Sequence, residues 1–164
     1  MPLQLLLVRH GESEANAGTS SDPDCPLSPR GFEQARELAA RLAAADLSGF
    51  TAITSPYRRA RQTADIIAAA TGMRFAVDED IREWAQDATV AGRFYPREDP
   101  EQLIERLRHF LARYGGRKLL VVSHAAPIGA LMHIACGETL DTRSPFWDGI
   151  ENCCLRQLTS MGSV

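Results

Sequence analysis

Two short apolar runs, LQLLLVR at 3–9 and KLLVVS at 118–123, constrain this chain more than any other feature. The second is continuous, which suits a strand of a parallel sheet covered on both faces. Between them the spacing turns helical. Leu27-Ser28-Pro29-Arg30 opens a helix with Ser28 as N-cap and Pro29 in its first turn. Phe32, Ala35, Leu38, Ala39 and Leu42 give that helix an apolar stripe. Residues 50–53 read as a second strand, and Ser55-Pro56 repeats the cap-and-proline signal for a helix reaching about Ala70, before Gly72. A strand over 74–77 follows, then a helix over 101–114 that carries Leu103, Leu107, Phe110 and Leu111 inward. A helix over 127–136 stops at Gly137, and 150–158 reads as a last strand. Alternating strands and helices predict an α/β fold.

The 164 residues predict a single domain over 1–164, with a core that needs neither metal nor disulfide. A hydrophobic content of 45% argues against disorder, and no apolar run approaches the length of a membrane span. The opening Met1-Pro2-Leu3-Gln4 has no basic region and reads as the approach to a strand rather than a signal peptide. A formal charge of −3 gives no overall pull toward nucleic acid or acidic lipid. Cys25, Cys136, Cys153 and Cys154 lack CxxC spacing, which fits four reduced thiols in a cytoplasmic protein. Residues 84–100 show no clear period, and the expectation is a short rim over an active site.

The chemistry begins where the strands end. His10 follows the first apolar run and His124 the second, and ligands of open α/β sheets gather outside the carboxyl ends of strands. Arg9 adjoins one histidine, while Arg58, Arg59 and Arg61 crowd a helix start whose N–H groups and dipole favour anions. Guanidinium groups match phosphate oxygens. The alternative is that each histidine is a satisfied structural residue at a strand end. Metal binding is disfavoured by the arginines and by the lack of HExxH or clustered Cys/His spacing. Neither a G-x-S-x-G elbow nor a phosphate-binding or dinucleotide glycine loop is present. The three arginines form a local cluster without an aromatic stripe, against nucleic-acid binding.

Six ordered segments resemble the histidine phosphatase superfamily, the phosphoglycerate-mutase-like proteins. Arg9-His10-Gly11-Glu12 resembles its RHG signature, and Leu27–Gly31 with Gln34-Ala35 its LTxxGxxQA segment. Ser55–Ala64 is similar to SPxxRAxQTA, Ile81-Arg82-Glu83 to LxE, and Val121–His124 to VxHG. Asn152 matches a late family position. The resemblance implies a three-layer α/β/α sandwich around a mostly parallel central sheet. It implies a metal-independent, cofactor-free phosphomonoesterase working through a phosphohistidine on His10. Arg9, Arg59 and His124 would surround the phosphoryl oxygens, Glu83 would serve as acid and then base, and Asn16 and Ser13 would contact substrate. The acid role asks for a raised Glu83 pKa, through burial or nearby phosphate charge.

Two departures stand out. Ala125 replaces the usual glycine after His124, an expected cost in conformational freedom at that turn. The stretch from Glu83 to His124 is much shorter than the cap-forming insertion of classical phosphoglycerate mutases, which disfavours mutase activity. A small phosphorylated metabolite is therefore the expected substrate. The alternatives are a phosphohistidine-protein or other phosphoprotein phosphatase, a mutase, and a non-catalytic phosphate-binding protein. Compact phosphohistidine phosphatases typically lack the acid at the Glu83 position, so its presence here favours ordinary esters. A monomer and a weak homodimer fit equally well.

Overall fold

The computed structural model describes residues 2–84, 86–143 and 145–160. Strand β1 spans Leu3–Arg9, helix α1 Pro29–Ala43, β2 Phe50–Thr54, α2 Arg58–Thr71 and β3 Phe75–Val77. A 3₁₀ turn at Glu79–Ile81 leads to β4 (Ala88–Val90) and β5 (Arg93–Tyr95). Then come α3 (Pro100–Arg113), β6 (Lys118–Ser123), α4 (Ala125–Ala135) and β7 (Leu155–Ser160). The main sheet runs β3-β2-β6-β1-β7. All its pairings are parallel except β1 with β7.

The apolar runs work as two-faced strands. Leu5 and Leu7 of β1, with Leu119 and Val121 of β6, pack with Leu103, Leu107 and Phe110 of α3 and with Ile128 and Leu131 of α4. Their neighbours Leu6, Val8, Leu120 and Val122 pack on the other face, against Leu38 and Leu42 of α1 and Ala60, Ala64 and Ile67 of α2. Successive side chains of a strand point to opposite faces, so an unbroken apolar run demands a helical layer on each side. The three-layer sandwich follows from that demand. Each fully buried leucine adds about 1.5–3 kcal/mol from area removed from water. No helix among the described residues is long and apolar enough to cross a membrane.

Local signals succeed where they are self-contained. Ser28 caps α1 by accepting from the Gly31 N–H, with Pro29 at the first turn. Gly72 ends α2 at φ 74°, the left-handed conformation glycine tolerates. Ser55, by contrast, is not the cap of α2. Tyr57 occupies that position without a side-chain cap bond, and Asp24 Oδ1 accepts from the Arg58 N–H at 2.7 Å instead. Helix α4 begins at Ala125 rather than 127, because proline at the third helical position lies within the first turn and loses no intrahelical bond.

The expected rim contains a hairpin. β4 and β5 pair antiparallel, with Ala88 and Val90 turned onto Tyr57 together with Tyr95. Three-residue strands are too short to show alternation. Ala85, within that expected rim, lies outside the described residues.

Candidate active site

In the β1–β6 register Arg9 lies opposite Ser123, so His10 and His124 emerge side by side at the carboxyl ends of adjacent strands. Their ring centroids are 5.0 Å apart. The His10 backbone is held from both sides: its N–H donates to Ser123 O at 3.0 Å, and its carbonyl accepts from Cys153 N and from Asn152 Nδ2. Gly11 is required for close approach rather than for an unusual φ. A Cβ there would stand 2.5 Å from the Gly31 carbonyl oxygen, at the start of α1.

The His10 ring is buried, at 2% exposure. Nδ1 lies 2.6 Å from the Gly11 carbonyl, an acceptor only, so the proton sits on Nδ1 and Nε2 carries the lone pair. Nε2 accepts from Arg59 Nε at 3.1 Å. Burial holds the His10 pKa well below its usual value, and the charges of Arg59 and Arg9 and the nearby His124 add to the effect.

Arg59 reaches three partners at once. Besides His10 it donates through Nη1 to Pro23 O at 2.7 Å and through Nη2 to Glu83 Oε2 at 3.4 Å, and it lies over the Tyr57 ring. Arg9 donates Nη1 to Ile150 O at 2.7 Å, while its buried Nε has no hydrogen-bond partner among the described residues. His124 is fully buried. Its Nε2 meets Ser55 Oγ at 2.8 Å, and Ser55 Oγ also accepts from Tyr57 N. Glu83 Oε2, an acceptor when ionised, faces Nδ1 at 3.3 Å outside hydrogen-bond geometry, which puts the ring proton on Nδ1 and leaves Nε2 to accept from the serine hydroxyl. Burial pushes the His124 pKa down to about 4 against the attraction of Glu83.

Burial alone does not raise Glu83 in the free site. Burial would raise its pKa, but the His124 ring, the Arg59 guanidinium and the Trp84 N–H outweigh burial and hold the carboxyl well below the usual range. In the free site it is ionised. Its Oε2 stands between Arg59 and His124, where an anionic oxygen finds two donors.

A cavity of about 310 Å³ opens beside these groups, lined among others by Arg9, His10, Ser13, Asn16, Arg59 and Glu83. His124 does not line it. Ser13 and Asn16 lock each other, Ser13 N to Asn16 Oδ1 and Asn16 N to Ser13 Oγ, both at 3.1 Å. Arg58 and Arg61 line a different hollow, beside Phe75 and Val77. The start of α2 is not an open anion site, since Asp24 already takes the Arg58 N–H.

His10, Glu83 and His124 each offer a ligand atom within 4.8 Å of the others, a spacing that could hold a metal ion. The donor set argues otherwise: the His10 Nε2 lone pair already accepts from a guanidinium, and a cation would face Arg59 and Arg9. Ala125 carries no backbone penalty. It is the first residue of α4, and the non-glycine residues with positive φ among those described are Ala91 and Cys153.

A family model described as the histidine phosphatase superfamily (branch 1) matches residues 5–93. The chain belongs to that superfamily. Membership makes it an enzyme of phosphatase type. A protein of Serratia proteamaculans named "Probable phosphoglycerate mutase GpmB" is 33% identical, over 82% of this chain and 75% of its own length. In fold, the chain is similar to a mycobacterial glucosyl-3-phosphoglycerate phosphatase (TM-score 0.70, 20% identity, 97% of this chain and 91% of that one). It is also similar to a phosphoserine phosphatase of Entamoeba histolytica (TM-score 0.70, 19% identity, 94% and 89%).

Several superfamily-motif residues hold the site rather than line it. Gln34 Oε1 accepts from Glu12 N, Gln62 Oε1 from Leu27 N, and Thr63 Oγ1 from Gly11 N. Ser55, Asn152 and Thr63 were not assigned these tasks from sequence. Their partners lie far along the chain; the motif match marks all three positions, and the one local signal, at Ser55, points to a helix cap instead.

Proposed function

We propose that this superfamily member is a metal-independent phosphomonoesterase that hydrolyses small-molecule phosphate esters through a phosphohistidine on His10. The observation that carries the reading is the His10 tautomer: Nδ1 is committed to the Gly11 carbonyl, so Nε2 holds a lone pair beside two arginines. A phosphate dianion entering the cavity competes for Arg59 and Arg9 and turns Arg59 from Nε2 onto phosphoryl oxygens. Displacing Glu83 Oε2 gives those oxygens the His124 Nδ1–H as well.

Glu83 takes up a proton from solvent as the dianion binds; Nε2 then attacks phosphorus as the bond to the ester oxygen breaks, and Glu83 gives that proton to the leaving alkoxide. Arg9, Arg59 and His124 stabilise the charge on the equatorial oxygens. In the second step Glu83 takes a proton from water, which attacks phosphorus; the N–P bond breaks and phosphate leaves. Ser13 and Asn16, at the cavity wall, would contact the substrate. A phosphohistidine substrate needs little help to leave, so Glu83, held against Arg59 and His124, favours esters over a phosphoprotein. The short hairpin between Glu83 and α3 favours hydrolysis over mutase chemistry, which needs an enclosed intermediate.

The test is hydrolysis of an aryl phosphate in EDTA by the wild type and by His10→Ala. Turnover that survives EDTA and vanishes in the variant is the expected result. Equal turnover by both proteins overturns the nucleophile assignment.

A further inference from the structure

Glu83 sits on neither a helix nor a main-sheet strand. It follows the 3₁₀ turn at Glu79–Ile81, where the Glu79 carbonyl accepts from the Arg82 backbone N–H at 3.2 Å. Side chains take the carbonyls of this segment as well. Arg82 Nη1 donates to Glu79 O at 2.9 Å, and Ser123 Oγ to Ile81 O at 2.7 Å. Arg106 takes two: Nη1 donates to Asp80 O at 2.6 Å and Nη2 to Glu83 O at 3.2 Å.

Arg106 is out of place for an ordinary arginine. It projects from the core face of α3, between Leu103, Leu107 and Phe110, and is 6% exposed. Glu98 makes that burial tolerable. Its carboxylate accepts from Arg106 Nε through both oxygens, at 3.0 and 2.9 Å, and from Arg82 Nη2 at 2.6 Å. The Glu98 carbonyl accepts from Trp84 Nε1 at 3.0 Å, tying down the residue after Glu83. A buried charged pair with every contact aimed at one short segment is costly to keep as mere packing, so a role in holding that segment explains it better.

We propose that Arg106, oriented by Glu98, is a positioning residue that fixes the Glu83 carboxylate against the phosphoryl pocket and so sets proton delivery to the leaving group. Arg106 touches no cavity-lining atom other than the Glu83 backbone carbonyl among the contacts described, so phosphate capture and attack by His10 do not depend on it directly. The inference rests on Glu83 being the acid.

The test is a leaving-group comparison: kcat/KM for p-nitrophenyl phosphate, whose phenolate leaves without help, against phenyl phosphate, whose phenolate gains from a proton. Glu83→Gln is expected to widen the ratio of the first to the second by about tenfold or more, the scale of a lost general acid. Arg106→Gln and Glu98→Gln should widen it in the same direction by a smaller factor, and Arg106→Lys should restore part of it. Thermal unfolding identifies any variant that fails to fold, and Glu98→Gln, nearly isosteric, keeps the test open if Arg106→Gln does. A proportionate loss on both substrates in the Arg106 and Glu98 variants makes the network structural and overturns the proposal, as does an unchanged ratio. If Glu83→Gln itself leaves the ratio unchanged, the acid role fails and takes this inference with it. If only Glu83→Gln widens it, the acid role stands and the inference alone fails.

Discussion

Inorganic phosphate added to the free protein should bring a proton with it, and the proton's destination should be Glu83. In the free site the Glu83 carboxylate is ionised, with Oε2 3.4 Å from Arg59 Nη2 and 3.3 Å from His124 Nδ1. A phosphate bound to those donors removes the two contacts that favour ionisation and puts negative charge about 4 Å away. At an effective dielectric constant near 20, each unit of charge at that distance costs the carboxylate about 4 kcal/mol, or about 3 pKa units. With the two contacts gone, that repulsion moves the Glu83 pKa upward, and the dianion's charge carries it toward neutrality. Uptake should therefore approach about one proton per phosphate near pH 6. Isothermal titration at that pH, in two buffers of different ionisation enthalpy, counts the protons. Glu83→Gln, measured alongside, subtracts the contribution of phosphate itself. Equal proton counts for the two proteins would refute the reasoning, because Glu83 would then have stayed ionised or been protonated from the start.

Ser55→Ala removes the partner of His124 Nε2 inside a buried site; a loss of roughly ten- to a hundredfold in kcat/KM, with about 1–3 kcal/mol of stability, should appear in kinetics and urea unfolding. Gly11→Ala drives a methyl to within 2.5 Å of the backbone oxygen of Gly31, which has no flexible end to yield, so denaturant unfolding should show a loss of roughly 1–3 kcal/mol or more. His10 and His124 both have lowered pKa values when folded, His124 about 4, so the unfolded chain binds more protons below its normal histidine pKa. Stability should thus be complete near pH 7 and fall as pH drops from about 6.5 toward 4, by a few kcal/mol on the order of the shift; unfolding midpoints unchanged between pH 7 and 5 would contradict the buried neutral rings.

What sequence could reveal depended on how far each cause reached along the chain. Leu3–Arg9 and Lys118–Ser123 were legible as buried strands because the covering of both faces is written in every residue. Ser28 was legible as a cap because its acceptor role is spent three residues away. Ser55 carried the same local signal and misled, since its hydroxyl is spent on His124 of another strand. Gly11 was visible as a glycine, but its reason, the backbone of Gly31, was not. Arg106 carries no local signal, and nothing nearby in sequence announces that Glu98 buries with it. The lowered Glu83 pKa of the free site was hidden for a related cause: it depends on Arg59 and His124, brought in from β2–α2 and β6–α4.

The hold on the His10 carbonyl also imposes an order in time. Arg9, His10, Arg59, Glu83 and His124 are all synthesised before Asn152 and Cys153, whose N–H groups fasten the end of β1, and before β7, which pairs with β1 along its length. A nascent chain can carry all five side chains and still lack the clasp that fixes His10. Such long-range closure is a slow kind of folding event, and the proposed reactivity toward phosphate esters would begin with it, once the turn before β7 has docked.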